Sequence, residues 1–91
     1  MTAPVPETAL GDEERARIKD VVCEVLDIEP EDITLTGSFT EEYGADSMAL
    51  VALGASLERT FDVEIEDSKV DLMDDLKNVF VVVGEALATS R

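Results

Sequence analysis

Gly44-Ala45-Asp46-Ser47-Met48 places a hydroxyl where a long connection meets an apolar-periodic helix. A serine at that junction has two chemical uses. Its oxygen can cap the helix by accepting a backbone N–H. Its hydroxyl can also accept a phosphate, because the exposed amides and positive dipole end of a helix N-terminus favour an anion. Gly44 allows a tight turn into the helix and leaves Ser47 accessible. Taken alone, the pentapeptide leaves both uses open.

Other chemistries find little support. Histidine is absent, which removes the commonest general base, the commonest metal ligand and any Ser–His–Asp or Cys–His arrangement. Asp74-Asp75 has no glycine turn of the EF-hand kind, so no metal site is expected. Cys23 is the single cysteine, which excludes an internal disulfide and suits a reducing, cytoplasmic setting. It falls off the apolar stripe of its helix and is expected to be a partly exposed, inert thiol.

The 91 residues carry 22 acidic and 7 basic side chains, a formal net charge of −15. Such a surface repels nucleic acid and anionic membrane and steers the protein toward basic patches on partners. A hydrophobic fraction of 45% with 4% aromatics fits one small aliphatic core. Its periodic placement argues against disorder. No apolar run approaches the roughly 20 residues that span a bilayer.

The elements that position Ser47 follow from periodicity. Residues 1–11 are expected to be a flexible tail, 12–88 one folded domain and 89–91 a short C-terminal tail. Ile18, Val21, Val22, Val25 and Leu26 give a first helix over Asp12–Leu26, with Asp12, Glu13 and Glu14 suiting its dipole. Asp27 to Asp46 is a long connection anchored by Ile28, Ile33, Phe39 and Tyr43. A second helix spans Ser47–Thr60, with Leu50, Leu53, Leu57 and Phe61 on one face beside Gly54. Its other face holds Met48, Val51, Ala52 and Ala55, with Glu58 and Arg59 only at the far end. Apolar residues on both sides imply either complete burial or a face that docks onto a partner, and four helices make docking the simpler reading. Phe61–Ile65 alternates apolar and acidic residues, and is expected to be an extended link, since a lone strand has no partner. A short helix at Val70–Met73 and a last helix over Asp75–Ala88, capped by Asp74, complete an all-α chain. That last helix gathers Leu76, Val79, Phe80, Val83 and Leu87 on one side.

These segments together resemble the acyl carrier protein family. The resemblance rests on Gly44-x-Asp46-Ser47-Met48, the Ser38-Phe39-x-Glu41 run leading into it, Leu57-Glu58-x-x-Phe61, and Val63-x-Ile65-x-Asp67. It extends without gaps from about Glu14 to Leu87. It implies a four-helix bundle with a long first loop and a short third helix. It further implies that a phosphopantetheinyl transferase attaches 4′-phosphopantetheine from coenzyme A to Ser47, with Asp46 orienting the transferase. The chain would then be a monomeric carrier and no enzyme, delivering thioester-bound acyl groups to an acyltransferase, ketosynthase or other acyl-processing enzyme. Fatty-acid carriers usually place acids at the positions of Ala49 and Ala52, and this sequence does not. Electrostatic recognition is therefore expected at Glu41, Glu42, Asp46 and Glu58, with apolar contact from Met48, Val51, Ala52 and Ala55. That departure favours a polyketide-type pathway over housekeeping fatty-acid synthesis. Rival readings are an aminoacyl, D-alanyl or peptidyl carrier, an unmodified acidic helical protein that binds partners, and an autonomous enzyme.

Overall fold

In the computed structural model, which describes residues 11–89, five helices follow one another: α1 Asp12–Leu26, α2 Phe39–Glu42, α3 Ser47–Phe61, α4 Asp67–Val70 and α5 Leu76–Thr89. The all-α bundle expected from sequence is present, with one element more, because the long connection contains the single turn α2. The expected tail 1–11 lies outside the described residues except for Gly11. That residue is the N-cap of α1, its amide donating to Glu14 Oε1 at 2.9 Å. At the other end, Thr89 closes α5 rather than starting a tail, and its hydroxyl donates to the Glu85 carbonyl at 2.8 Å. No helix among the described residues is long and apolar enough to cross a membrane.

The helix α1 packs against both α3 and α5, and α4 rests on α3. The shared core holds Ile18 and Val22 of α1, Leu53 and Leu57 of α3, and Val79 and Val83 of α5, all fully buried. Two contacts for α1 demand a wide buried face, and this explains Cys23. The thiol is buried, not partly exposed, because the covered arc extends past the stripe that the sequence shows. Desolvation raises its pKa, with Lys19 partly opposing the rise.

The helices α1 and α3 end alike. Asp27 and Asp62 take the left-handed conformation at φ 58° and φ 56°. The amides of Ile28 and Val63, the next residues, return to the carbonyls of Cys23 and Glu58 at 3.0 and 3.2 Å. This is the Schellman geometry, completed by a buried hydrophobe just past the turn. Phe61, expected to open an extended link, instead ends α3 and Asp62 turns left-handed, so that only residues 63–66 form a link that is neither helix nor strand. It is pinned where the Ile65 amide donates to Glu58 Oε2 at 2.7 Å.

The short helix α4 lies at Asp67–Val70, three residues earlier than the expected Val70–Met73. Turns carry the chain on to Met73, whose side chain is fully buried. Gly54 permits this approach, since a Cβ there would stand 3.2 Å from Val70 Cγ2 and 3.8 Å from Met73 Cε. In α5, Leu76, Val79 and Val83 are buried as expected, joined by Val82 and Gly84, while Phe80 and Leu87 are half-buried.

Candidate functional site

Ser47 is the first residue of α3, and Asp46 is its N-cap. Asp46 is extended at φ −108° and ψ 179°, and its Oδ1 accepts the Ala49 amide at 2.9 Å. Its carbonyl accepts the Leu50 amide at 3.2 Å. Capping therefore falls to Asp46, one residue before the serine that sequence reasoning weighed for it. The Ser47 side chain is exposed and makes no hydrogen bond among the described residues. The amides of Ser47 and Met48 likewise meet no acceptor there. A free primary hydroxyl beside two unclaimed amides at the positive end of a 15-residue helix is a physical fit for a covalently held phosphodiester. 4′-Phosphopantetheine is such a group, and the residues present can hold it.

The approach to Ser47 is built from α2. Gly44 has φ +74° with open space around the position of a Cβ, so its backbone rather than crowding calls for glycine. Phe39 is fully buried beneath α2, and its carbonyl accepts the amides of Tyr43 and Ala45 at 3.3 and 2.9 Å. The Tyr43 ring stands at 6.3 Å from that of Phe39. Its hydroxyl donates to the Asp32 carbonyl at 3.0 Å and accepts the Thr34 amide at 3.1 Å. The loop is thereby folded onto itself two residues before the serine.

Asp74, expected to cap the last helix, does something else. Asp75 caps α5 through the Asn78 amide at 2.8 Å. The Asp74 carboxylate instead accepts the Ser38 hydroxyl at 2.6 Å and the Thr40 amide at 3.1 Å. Local spacing cannot distinguish the two neighbouring aspartates, because their partners differ by tertiary contact.

The other expected residues sort by position. Among the described residues Met48 and Val51 are the most exposed large hydrophobes, at 79% and 61%, and Ala52 is exposed close by in the same helix, whereas Ala55 is half-buried. Glu41 and Glu42 are exposed on α2, close in sequence to Ser47. Glu58 lies 11 residues along α3, about 16 Å from Ser47 at the usual rise per residue. Half-buried, it is occupied with the Ile65 amide. Asp46, Met48, Val51 and Ala52 thus lie at the cap and in the first turns of α3, Glu41 and Glu42 are exposed on α2 just before it in the chain, and Glu58 lies farther along α3.

A family model described as the phosphopantetheine attachment site matches residues 16–79. The chain is similar to polyketide-8 synthase acyl carrier protein 1 of Streptomyces avermitilis, 38% identical over 79 residues covering 87% of this chain and 94% of that one. It is 32% identical over 76 residues to the acyl carrier protein of Petrotoga mobilis, with 84% and 89% covered. Against that of Campylobacter concisus it is 37% identical over 62 residues, with 68% and 80% covered. All three relatives are named as acyl carrier proteins. The match across most of the bundle, together with a free serine hydroxyl at the head of α3, makes this chain a member of the acyl carrier protein family, whose group is covalent 4′-phosphopantetheine.

Proposed function

We propose that Ser47 is the attachment residue and that the chain serves as an acyl carrier in polyketide-type biosynthesis. The observation that carries the attachment is the division of labour between neighbours. Asp46 caps α3, so the Ser47 oxygen is left without a structural task and open to solvent.

The chain's own part in loading is to present one hydroxyl on a fixed helix end. The Ser47 oxygen bonds to the pantetheine-bearing phosphorus of coenzyme A as the pyrophosphate P–O bond breaks. Adenosine 3′,5′-bisphosphate leaves, the hydroxyl proton passes to a base of the transferase, and the first amides of α3 face the new anion. Once attached, the group supplies a terminal thiol that carries acyl cargo. The folded chain contributes no catalytic base, and Asp46 and the Glu41–Glu42 pair supply negative charge for a basic transferase surface. Met48, Val51 and Ala52 form the apolar centre of the same face, available to ketosynthase, acyltransferase or related partners.

Two observations support the polyketide assignment. The relative from Streptomyces avermitilis is named for a polyketide synthase. Residues 49 and 52 are both alanine, at positions where the family resemblance implies acids in fatty-acid carriers. Intact mass after incubation with coenzyme A and a broad-specificity phosphopantetheinyl transferase tests the attachment. One phosphopantetheine-sized gain is expected, and none for Ser47→Ala. Several active transferases all leaving the folded protein unmodified would refute it. Loading the holo form with malonyl, fatty acyl and aminoacyl donors then tests the pathway, and a preference for aminoacyl donors would overturn the polyketide reading.

A further inference from the structure

We propose that Asp74 is a positioning residue for phosphopantetheinylation: it docks α2 onto the start of the segment leading to α5, and so fixes the acidic face beside Ser47. This inference rests on the reading of Ser47 as the attachment residue.

The helix α2 has four residues, far fewer than a helix needs to persist unaided. All four of its amides are nonetheless satisfied. The Phe39 amide donates to the Asp74 carbonyl at 2.7 Å and the Thr40 amide to Asp74 Oδ1 at 3.1 Å. Ser38 takes the other two, its hydroxyl accepting from Glu41 at 3.1 Å and its carbonyl from Glu42 at 2.8 Å. That hydroxyl is itself oriented by donating to Asp74 Oδ2 at 2.6 Å, and the Thr40 hydroxyl lies 3.3 Å from the same oxygen. Asp74 thus acts as a cap supplied from 34 residues away. A charged acceptor with several donors holds more firmly than a neutral one.

What this clamp holds leads directly to the site. The Phe39 carbonyl at the start of α2 binds the Ala45 amide, two residues before Ser47. Glu41 and Glu42, the exposed acids of α2, therefore face the transferase from a place set by Asp74. Without the carboxylate, α2 loses the Thr40 bond and the orientation of Ser38, while the cap at Asp46 and the hydroxyl of Ser47 remain. Docking of the carrier should suffer, and the reaction at the serine should not.

The test is steady-state phosphopantetheinylation with coenzyme A saturating and the apo carrier varied. Asp74→Ala is expected to raise KM for the carrier by about fivefold, the scale of misplacing two exposed charge contacts, with kcat little changed. Asp74→Asn should stay within about twofold of wild type, because its amide oxygen still accepts from Thr40. Val83→Ala, a core variant matched in lowered melting temperature, should leave KM unaltered. Amide exchange at Thr40 and Ala45 should speed up in Asp74→Ala and not in Val83→Ala. Should Asp74→Ala not fold, Ser38→Ala gives a milder form of the same loss, with the same direction in KM. An unchanged KM in Asp74→Ala, or an equal rise in Val83→Ala, overturns the proposal. If wild type itself accepts no phosphopantetheine, the Ser47 reading fails, and exchange at Ala45 alone then decides whether Asp74 holds the approach.

Discussion

Asp46 Oδ1 accepts the Ala49 amide at 2.9 Å, and this bond separates the stability of α3 from the chemistry of the neighbouring Ser47. Ser47→Ala should abolish modification yet shift stability by no more than about 0.5 kcal/mol, as for an ordinary exposed site. Asp46→Ala should cost about 1 kcal/mol through the lost cap, a fall in melting temperature of roughly 4–8 °C for a domain of this size. Asp46→Asn keeps the acceptor and should keep the stability, so any loss of loading rate in that variant reports charge alone. Thermal melts beside intact-mass time courses check all three.

The exposed pair Met48 and Val51 offers a second separation. Met48→Glu or Val51→Glu should leave the melting temperature within a few degrees of wild type, since neither side chain is covered. Acyl transfer from the holo carrier to its partner enzyme should fall by about tenfold or more, the effect of placing a charge in the desolvated centre of an interface. Transfer at the wild-type rate would show that partners dock elsewhere.

The left-handed aspartates Asp27 and Asp62 are stored improvements. Glycine adopts that conformation without a Cβ penalty, and removing a carboxylate from a helix C-terminus also relieves repulsion with the dipole. Asp27→Gly and Asp62→Gly should each raise stability by about 0.5–1 kcal/mol in urea titrations. A loss in either would mean that the carboxylate does more than end a helix.

A net charge of −15 acts on the whole bundle through self-repulsion. Raising sodium chloride from low to physiological ionic strength and beyond shortens the screening length to about 8 Å and less. The melting temperature should rise by several degrees, with magnesium acting at lower concentration. A flat response would show that repulsion contributes little.

Burial at Cys23 raises its pKa, so less thiolate forms at a given pH in the folded state. The stability tied to the neutral thiol is present below the pKa of the unfolded thiol and is lost as pH rises through the higher folded value. Alkylation at mildly alkaline pH should be about tenfold slower or more in native protein than in denaturant. Equal rates would contradict the burial.

Much of this molecule was legible in its residues. The stripe Ile18, Val22 and its neighbours marks α1, and Leu50, Leu53 and Leu57 mark the inner face of α3, because both follow from the period of one helix. The exposed Met48 and Val51 were visible for the same reason. The charge, the free hydroxyl's place at a helix start and the need for Gly44 are equally local. Tertiary structure decided the rest. In the single turn α2, Asp74, distant in sequence, accepts the Phe39 and Thr40 amides while Ser38 accepts the other two, and no local pattern encodes the partnership with Asp74. Packing of α1 against two helices buried Cys23 beyond its own stripe. The caps at Asp46 and Asp75 each reach an amide three residues on, whereas Asp74 bonds to Ser38 and Thr40 across the fold. Helical period and the caps at Asp46 and Asp75 are properties of neighbours along the chain, whereas the bonds of Asp74 depend on where the whole bundle brings Ser38 and Thr40, and only the fold supplies that.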